Sequence, residues 1–233
     1  MEYKKYIFSY MNNQFLRSPF SLLLAFGRFG ALVLFFLLTA CSESFTDSRD
    51  GLSYGIIKIG EQTWMAENLN YATEGSACPD GDSRNCKRMG RLYTWAEAKT
   101  VCPEGWRLPT KEDFEKLIAE MFKDGVASSK SDAGAALKAK DGWFKKGNGS
   151  DALGFKSLPA GYRSAVSKAD DGAVTGGKFD GIGGYAYFWS ATEDDEFPES
   201  LAYYLFLSFS NDAASLNAFA KEDYRSVRCV LHQ

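Results

Sequence analysis

Cys102-Pro103-Glu104-Gly105-Trp106-Arg107-Leu108-Pro109-Thr110-Lys111-Glu112-Asp113-Phe114 is the stretch whose reading decides the fold. A cysteine, a Pro and Gly turn, a proline-stiffened extended step and a helix start follow one another without a gap. Thr110 has the side chain of an N-cap, and Asp113 stands three residues on, where a carboxylate reaches back to a free amide. Phe114, Leu117, Ile118, Met121 and Phe122 then recur at helical spacing, which predicts a helix with one buried face. Gly125 lies just past the last apolar residue, in the place of a left-handed C-cap.

Immediately upstream, Thr94-Trp95-Ala96-Glu97 is another capping box and starts a short helix that ends near Val101. The elbow therefore joins two helices. Before them, residues 54–59 and 62–65 are β-rich runs around Gly60-Glu61, the pattern of a hairpin, and residues 66–71 read as a further extended piece. Residues 73–88 have the Gly, Pro, Asp and Asn content of a loop.

After Gly125 a helical turn or two is expected around Ala135 to Lys138, then a Gly-rich loop over 141–151. Residues 154–158 read as a strand, and residues 164–184, rich in Gly and Asp, as a variable loop. From Tyr185 the character is β: strands over 185–191, 201–210, 216–220 and 226–231. Strands, then helices, then strands predict an α+β domain with antiparallel sheets and two short helices. Trp64, Trp95, Trp106 and Trp189 are assigned to its core.

The chain has 233 residues, 45% hydrophobic and 24% charged, a composition that suits one globular domain. Its first forty residues stand apart. Lys4, Lys5, Arg17 and Arg28 precede an apolar run from Phe29 to Leu38, the length of a signal-peptide core and short for a membrane span. Leu38-Thr39-Ala40-Cys41 resembles a bacterial lipobox, so residues 1–40 are expected to be a lipoprotein signal peptide, with Cys41 diacylated. The basic region is long for such a signal, which leaves Met11 as an alternative start. Residues 41–53 are expected to be the lipidated cysteine and a flexible tether, and residues 54–233 the folded domain.

Without residues 1–40 the chain keeps 23 basic and 29 acidic residues. That balance gives no electrostatic reason to bind nucleic acid, and it leaves the lipid as the expected membrane contact. Ser42 lacks the aspartate associated with inner-membrane retention, which points to the outer membrane. Four cysteines remain, Cys78, Cys86, Cys102 and Cys229, and admit three pairings. The favoured one joins Cys78 to Cys86 across a short loop and Cys102 to Cys229 across most of the domain. Zinc is disfavoured, because there is no Cys-x-x-Cys pair and the only histidine is His232.

Six segments resemble the Fibrobacter succinogenes major paralogous domain, found in exported bacterial proteins and often in lipoproteins. They are Ile59-Gly60-Glu61-Gln62-Thr63-Trp64-Met65-Ala66-Glu67-Asn68-Leu69, Gly90-Arg91-Leu92-Tyr93-Thr94-Trp95, the elbow, Gly154-Phe155-Lys156-Ser157-Leu158-Pro159-Ala160-Gly161-Tyr162-Arg163, Phe188-Trp189-Ser190-Ala191-Thr192-Glu193 and Ser226-Val227-Arg228-Cys229-Val230. The resemblance implies a C-type lectin-like fold, in which a terminal cysteine pairs back toward the helices, as in the 102 to 229 pairing. It implies no known activity.

The motifs of calcium-dependent sugar binding in lectins of that fold, Glu-Pro-Asn or Gln-Pro-Asp with Trp-Asn-Asp, are missing. No cofactor and no metal site are therefore expected, though Glu193-Asp194-Asp195-Glu196 with Asp170, Asp171 and Asp180 could supply oxygens to calcium. Trp143, Phe144, Tyr162, Tyr185 and Tyr187, with Phe179, lie in or beside Gly-rich loops where rings can stack on sugars or anchor a protein. No nucleophile and base pair is visible, so the chain reads as a non-catalytic binding domain for polysaccharide or an envelope protein. The alternatives are a structural or assembly subunit of an envelope complex and, behind it, a carboxylate-dependent glycoside hydrolase.

Overall fold

The computed structural model describes residues 43–123, 125–129, 131–168 and 174–232. The signal peptide and Cys41 of the sequence reading lie outside the described residues, as do Asp170 and Asp171. In chain order the strands are β1 (Ser44–Thr46), β2 (Ser53–Ile59), β3 (Gln62–Met65), β4 (Leu92–Tyr93), β5 (Trp106–Arg107), β6 (Ala160–Arg163), β7 (Val166–Lys168), β8 (Val174–Gly176), β9 (Phe179–Ile182), β10 (Tyr185–Glu193), β11 (Leu201–Ser208), β12 (Ala214–Ala220), β13 (Arg225–Ser226) and β14 (Val230–Leu231). The helices are α1 (Ser83–Met89), α2 (Trp95–Val101), α3 (Lys111–Lys123) and α4 (Ala133–Leu137).

Two five-stranded sheets carry the α+β fold, in the orders β1-β2-β3-β14-β5 and β12-β11-β10-β13-β4, beside the small pairs β6-β9 and β7-β8. The pairings are antiparallel except for β10 with β13, where Phe188 faces Ser226.

The elbow folds as its residues dictate. Thr94 and Glu97 exchange the bonds of a capping box at α2. At α3 the Asp113 backbone N–H donates to Thr110 Oγ1 at 3.2 Å, and the Thr110 N–H donates to the Asp113 carboxylate at 2.7 Å. Asp113 does more than cap: it also accepts from Arg107 and, at 3.0 Å, from Gln62 Nε2, tying β5 and β3 to the helix. Gly125 (φ 65°) ends the helix, with Val126 N–H returning to Met121 O as in a Schellman cap.

One core cluster packs α3 and α4 against β10 and β11, where Trp64 stacks on Phe114 at 5.7 Å and Phe155 bridges to Phe188. A second surrounds the other three core tryptophans, Trp95, Trp106 and Trp189. Disulfides join Cys78 to Cys86 and Cys102 to Cys229.

Five expectations are corrected. The tether begins the fold: β1 pairs with β2, Phe45 packs on Trp106 at 5.4 Å, and Asp47 is buried against Arg49. A short, polar edge strand has the composition of a linker. The loop over 73–88 contains α1, because Asp82 caps it by accepting the Arg84 N–H, so the described residues hold four α-helices rather than the two expected. Residues 154–158 form no strand, only a bridge between Lys138 and Ser157. The expected loop over 164–184 holds β7, β8 and β9, and the glycines in β8, β9 and the turns beside them conceal the strand pattern. The last strand is two strands in different sheets, with Val227, Arg228 and Cys229 crossing between them.

Two outcomes test these constraints. Calorimetry of the full-length protein should show a larger loss of stability for Cys102→Ala with Cys229→Ala, about 5 kcal/mol in the chain-entropy treatment, than for the pair Cys78→Ala with Cys86→Ala, about 2–3 kcal/mol; equal losses would contradict the long-range staple. Burial raises the Asp113 pKa, but the bonds from Arg107 and Thr110 outweigh it and hold the carboxyl below its usual range. Its contribution is therefore complete above the ordinary carboxylate pKa and is lost as pH falls through the lowered folded value. Asp113→Asn should cost about 2 kcal/mol at pH 7, and denaturant curves of the two proteins should converge in acid.

Candidate functional site

Strands alternate their side chains, so β10 and β11 each have two faces. Ala186 and Phe188 with Leu205 and Leu207 enter the first core cluster. The other face presents Tyr185 and Tyr187 beside Tyr204 and Phe206, with Tyr187 directly opposite Phe206. Tyr185, Tyr187 and Phe206 are half-buried, and Tyr187 and Phe206 pack against the second core cluster, to which Tyr204 and Trp189 belong.

These rings form a continuous ladder. Phe144 meets Phe209 at 6.4 Å, Phe209 meets Tyr185 at 5.8 Å, and Tyr185 stacks on Phe206 at 5.7 Å. Phe206 meets Tyr187 at 5.2 Å, and Tyr187 meets both Tyr162, from β6, and Tyr204. At one end Phe144 is 55% exposed and seated on Gly183, where a Cβ would lie 2.3 Å from its ring. Any larger residue at 183 displaces Phe144. At the other end Phe219 of β12 is 52% exposed.

The ladder ends in a basin of about 190 Å³ lined by Tyr162, Tyr187, Tyr204, Phe219, Asp223 and Arg225. Arg225 is 2% exposed, and its Cζ lies between 4.4 and 5.8 Å from the ring centres of Tyr204, Trp189, Tyr187, Phe219 and Tyr162. Its Nη2 donates to Asp223 at 3.4 Å, a long bond, while Nε and Nη1 have no hydrogen-bond partner. Ring faces attract the cation but do not accept its N–H groups as a carboxylate does. Burial lowers the Arg225 pKa and raises those of the Tyr187 and Tyr204 phenols, so the tyrosines remain neutral hydroxyls at neutral pH.

Of the residues expected at a binding face, Phe144, Tyr162, Tyr185 and Tyr187 are brought together. Trp143 is not among them: it is 5% exposed, its indole N–H donates to Ser157 O at 3.1 Å, and its ring belongs to the core. Phe179 lies apart with Leu158 and Ile182. Sequence reading missed Phe206, Phe209, Tyr204, Phe219 and Arg225. Residues 201–210 read as one apolar run, and the signal within it is alternation of aromatic Tyr204 and Phe206 with aliphatic Leu205 and Leu207.

Side chains of the acidic run have partners within the protein. Asp194 accepts the Glu196 and Phe197 N–H groups, Asp195 accepts the Tyr203 hydroxyl, and Glu193 pairs with Lys221 at 2.7 Å. Among the described residues no three His, Cys, Asp or Glu side chains are grouped as metal ligands, and no helix is long and apolar enough to cross a membrane. A wider groove, about 590 Å³, is lined by Trp95, Lys99, Glu193, Glu199, Lys221 and Glu222 among others. There Lys221 lowers the Glu193 pKa, opposite to the direction a general acid needs.

Fold and site together describe a disulfide-bonded α+β domain with an aromatic sheet face. The Fibrobacter succinogenes major domain family matches residues 57–231, and the chain belongs to that family. No curated protein and no solved structure matches it.

The two neighbours Trp143 and Phe144 provide a direct check. Trp143→Ala should cost about 3–5 kcal/mol in urea unfolding, the range for a buried large ring. Phe144→Ala should change stability by less than about 1 kcal/mol. Similar losses for both would mean that the ladder's exposed end is a packing element.

Proposed function

We propose that this chain is a cell-envelope lipoprotein, lipidated at Cys41 and held at the outer membrane, whose domain binds polysaccharide on the aromatic face without catalysis. The ring ladder carries this reading. A row of partly exposed aromatic rings on one side of β10 and β11, opposite the side packed into the core, gives flat apolar surfaces edged by hydroxyls, which suit the faces and rims of sugars. In this reading calcium is not required, and the acidic run is a structural loop.

The proposal includes a C-type lectin-like fold, supported by a chain end that returns through β14 to the first sheet and by a terminal cysteine bonded beside α2. A second reading, a protein partner or assembly role in the envelope, is favoured by the exposure of Phe144 and Phe219 at the two ends of the face.

Binding of the full-length protein in detergent micelles to a panel of plant and bacterial polysaccharides, with calcium and with chelator, tests the proposal. Saturable binding that is insensitive to chelator and weakened about tenfold or more by Tyr185→Ala with Phe206→Ala is expected. No binding across the panel, or binding untouched by the double substitution, would sink the glycan reading.

A further inference from the structure

Two arginines three residues apart, both buried, are treated differently by this fold. Arg228 is 1% exposed, and each of its nitrogens is bonded: Nε and Nη2 donate to Asn68 Oδ1, and Nη1 donates to the carbonyls of Met65, Ala66 and Phe155. That is how a structural guanidinium is satisfied. Arg225, equally buried, has one long bond to Asp223 and leaves Nε and Nη1 without acceptors. It lines a basin walled by Tyr162, Tyr187, Tyr204 and Phe219. Aromatic walls around an unsaturated planar cation are complementary to a ring bearing a planar anion.

Resting on the glycan reading above, we infer that the Arg225 basin is a subsite for a carboxylate-bearing sugar, a uronate residue, at the end of the aromatic face. Its volume of about 190 Å³, several times the ~30 Å³ share of one water, is on the scale of one sugar ring. Nε and Nη1 are shielded by the rings around them, so the sugar's carboxylate reaches these acceptor-free donors as the rings shift, and the tyrosine and phenylalanine rings take its faces. Asp223 has a defined part. Its Oδ1 accepts the Ala165 N–H at 2.9 Å, anchoring the β6 to β7 connection, while its charge competes with the ligand for Nη2.

The test uses the full-length protein with oligogalacturonides, their methyl esters, and neutral oligosaccharides of the same length. Esterification removes the ligand's charge and leaves the protein untouched, so the comparison survives if substitutions at Arg225 prevent folding. The free acid should bind about tenfold tighter than the ester, and Asp223→Asn, whose amide oxygen retains the Ala165 bond, should tighten the free acid and leave the ester unchanged. The Arg225 Nε–H resonance should move on titration with the acid and stay in place with the ester. Equal affinity for acid, ester and neutral chains would overturn the uronate subsite while leaving the aromatic face as a glycan site. Absence of binding to all three would overturn the subsite, and failure on the wider panel would overturn the glycan reading itself.

Discussion

The structure depends on one buried cation at the crossover between its sheets. β13 lies in the second sheet and β14 in the first, so Val227, Arg228 and Cys229 must pass through the interior. Burying a guanidinium costs several kcal/mol unless its donors are met. Arg228 meets them with Asn68 and the carbonyls of residues 65, 66 and 155, which are also the acceptors this interior would otherwise leave open. Burial pushes its pKa down to about 9, so it remains charged at neutral pH. Cys229 adds the covalent bond to Cys102 at the end of α2.

That crossover sets the position of the candidate site. Arg228 draws the 65–68 segment and Phe155 toward the chain end, and Asn68 continues the link to the Met89 carbonyl and Ser226 Oγ. Ser226 pairs with Leu92 on one side and Phe188 on the other, so β13 is fixed between β4 and β10. Arg225, one residue earlier on the same strand, pairs with Tyr93 of β4 and is buried. Its place among the tyrosines follows from the register of its neighbours.

Much of this was legible in the residues. The capping pairs at Thr94 and Thr110, the Gly60-Glu61 hairpin, the tryptophan core and both disulfides each rest on a local rule or on even cysteine arithmetic. What was hidden depends on pairing across long separations. β1 is polar because it is an edge strand, α1 is disguised by the Asp that caps it and the Asn within it, and the sheet change at 227–229 has no sequence mark because the acceptors that let Arg228 be buried there lie far away in the chain, at residues 65–68 and 155. The site was half legible for the same reason. Aromatics near glycines could be marked as surface candidates, and four of them are on the face. Trp143 differs from Phe144 only in which way the loop turns, and Phe206 differs from Leu205 only by strand parity.

The parity also explains why the part of the face on β10 and β11 is ordered before any ligand arrives. Its rings stand on β10 and β11, whose opposite sides are packed into the larger core cluster, so ring positions are set by the same register that fills the core. A platform ordered in the free protein loses little conformational entropy on binding. The acidic surface of the domain works in the opposite direction for an anionic polymer, repelling it at long range. Discrimination in favour of such a polymer must then come from contacts short enough to escape that repulsion, and a buried guanidinium with unused donors is the group on this face with that property.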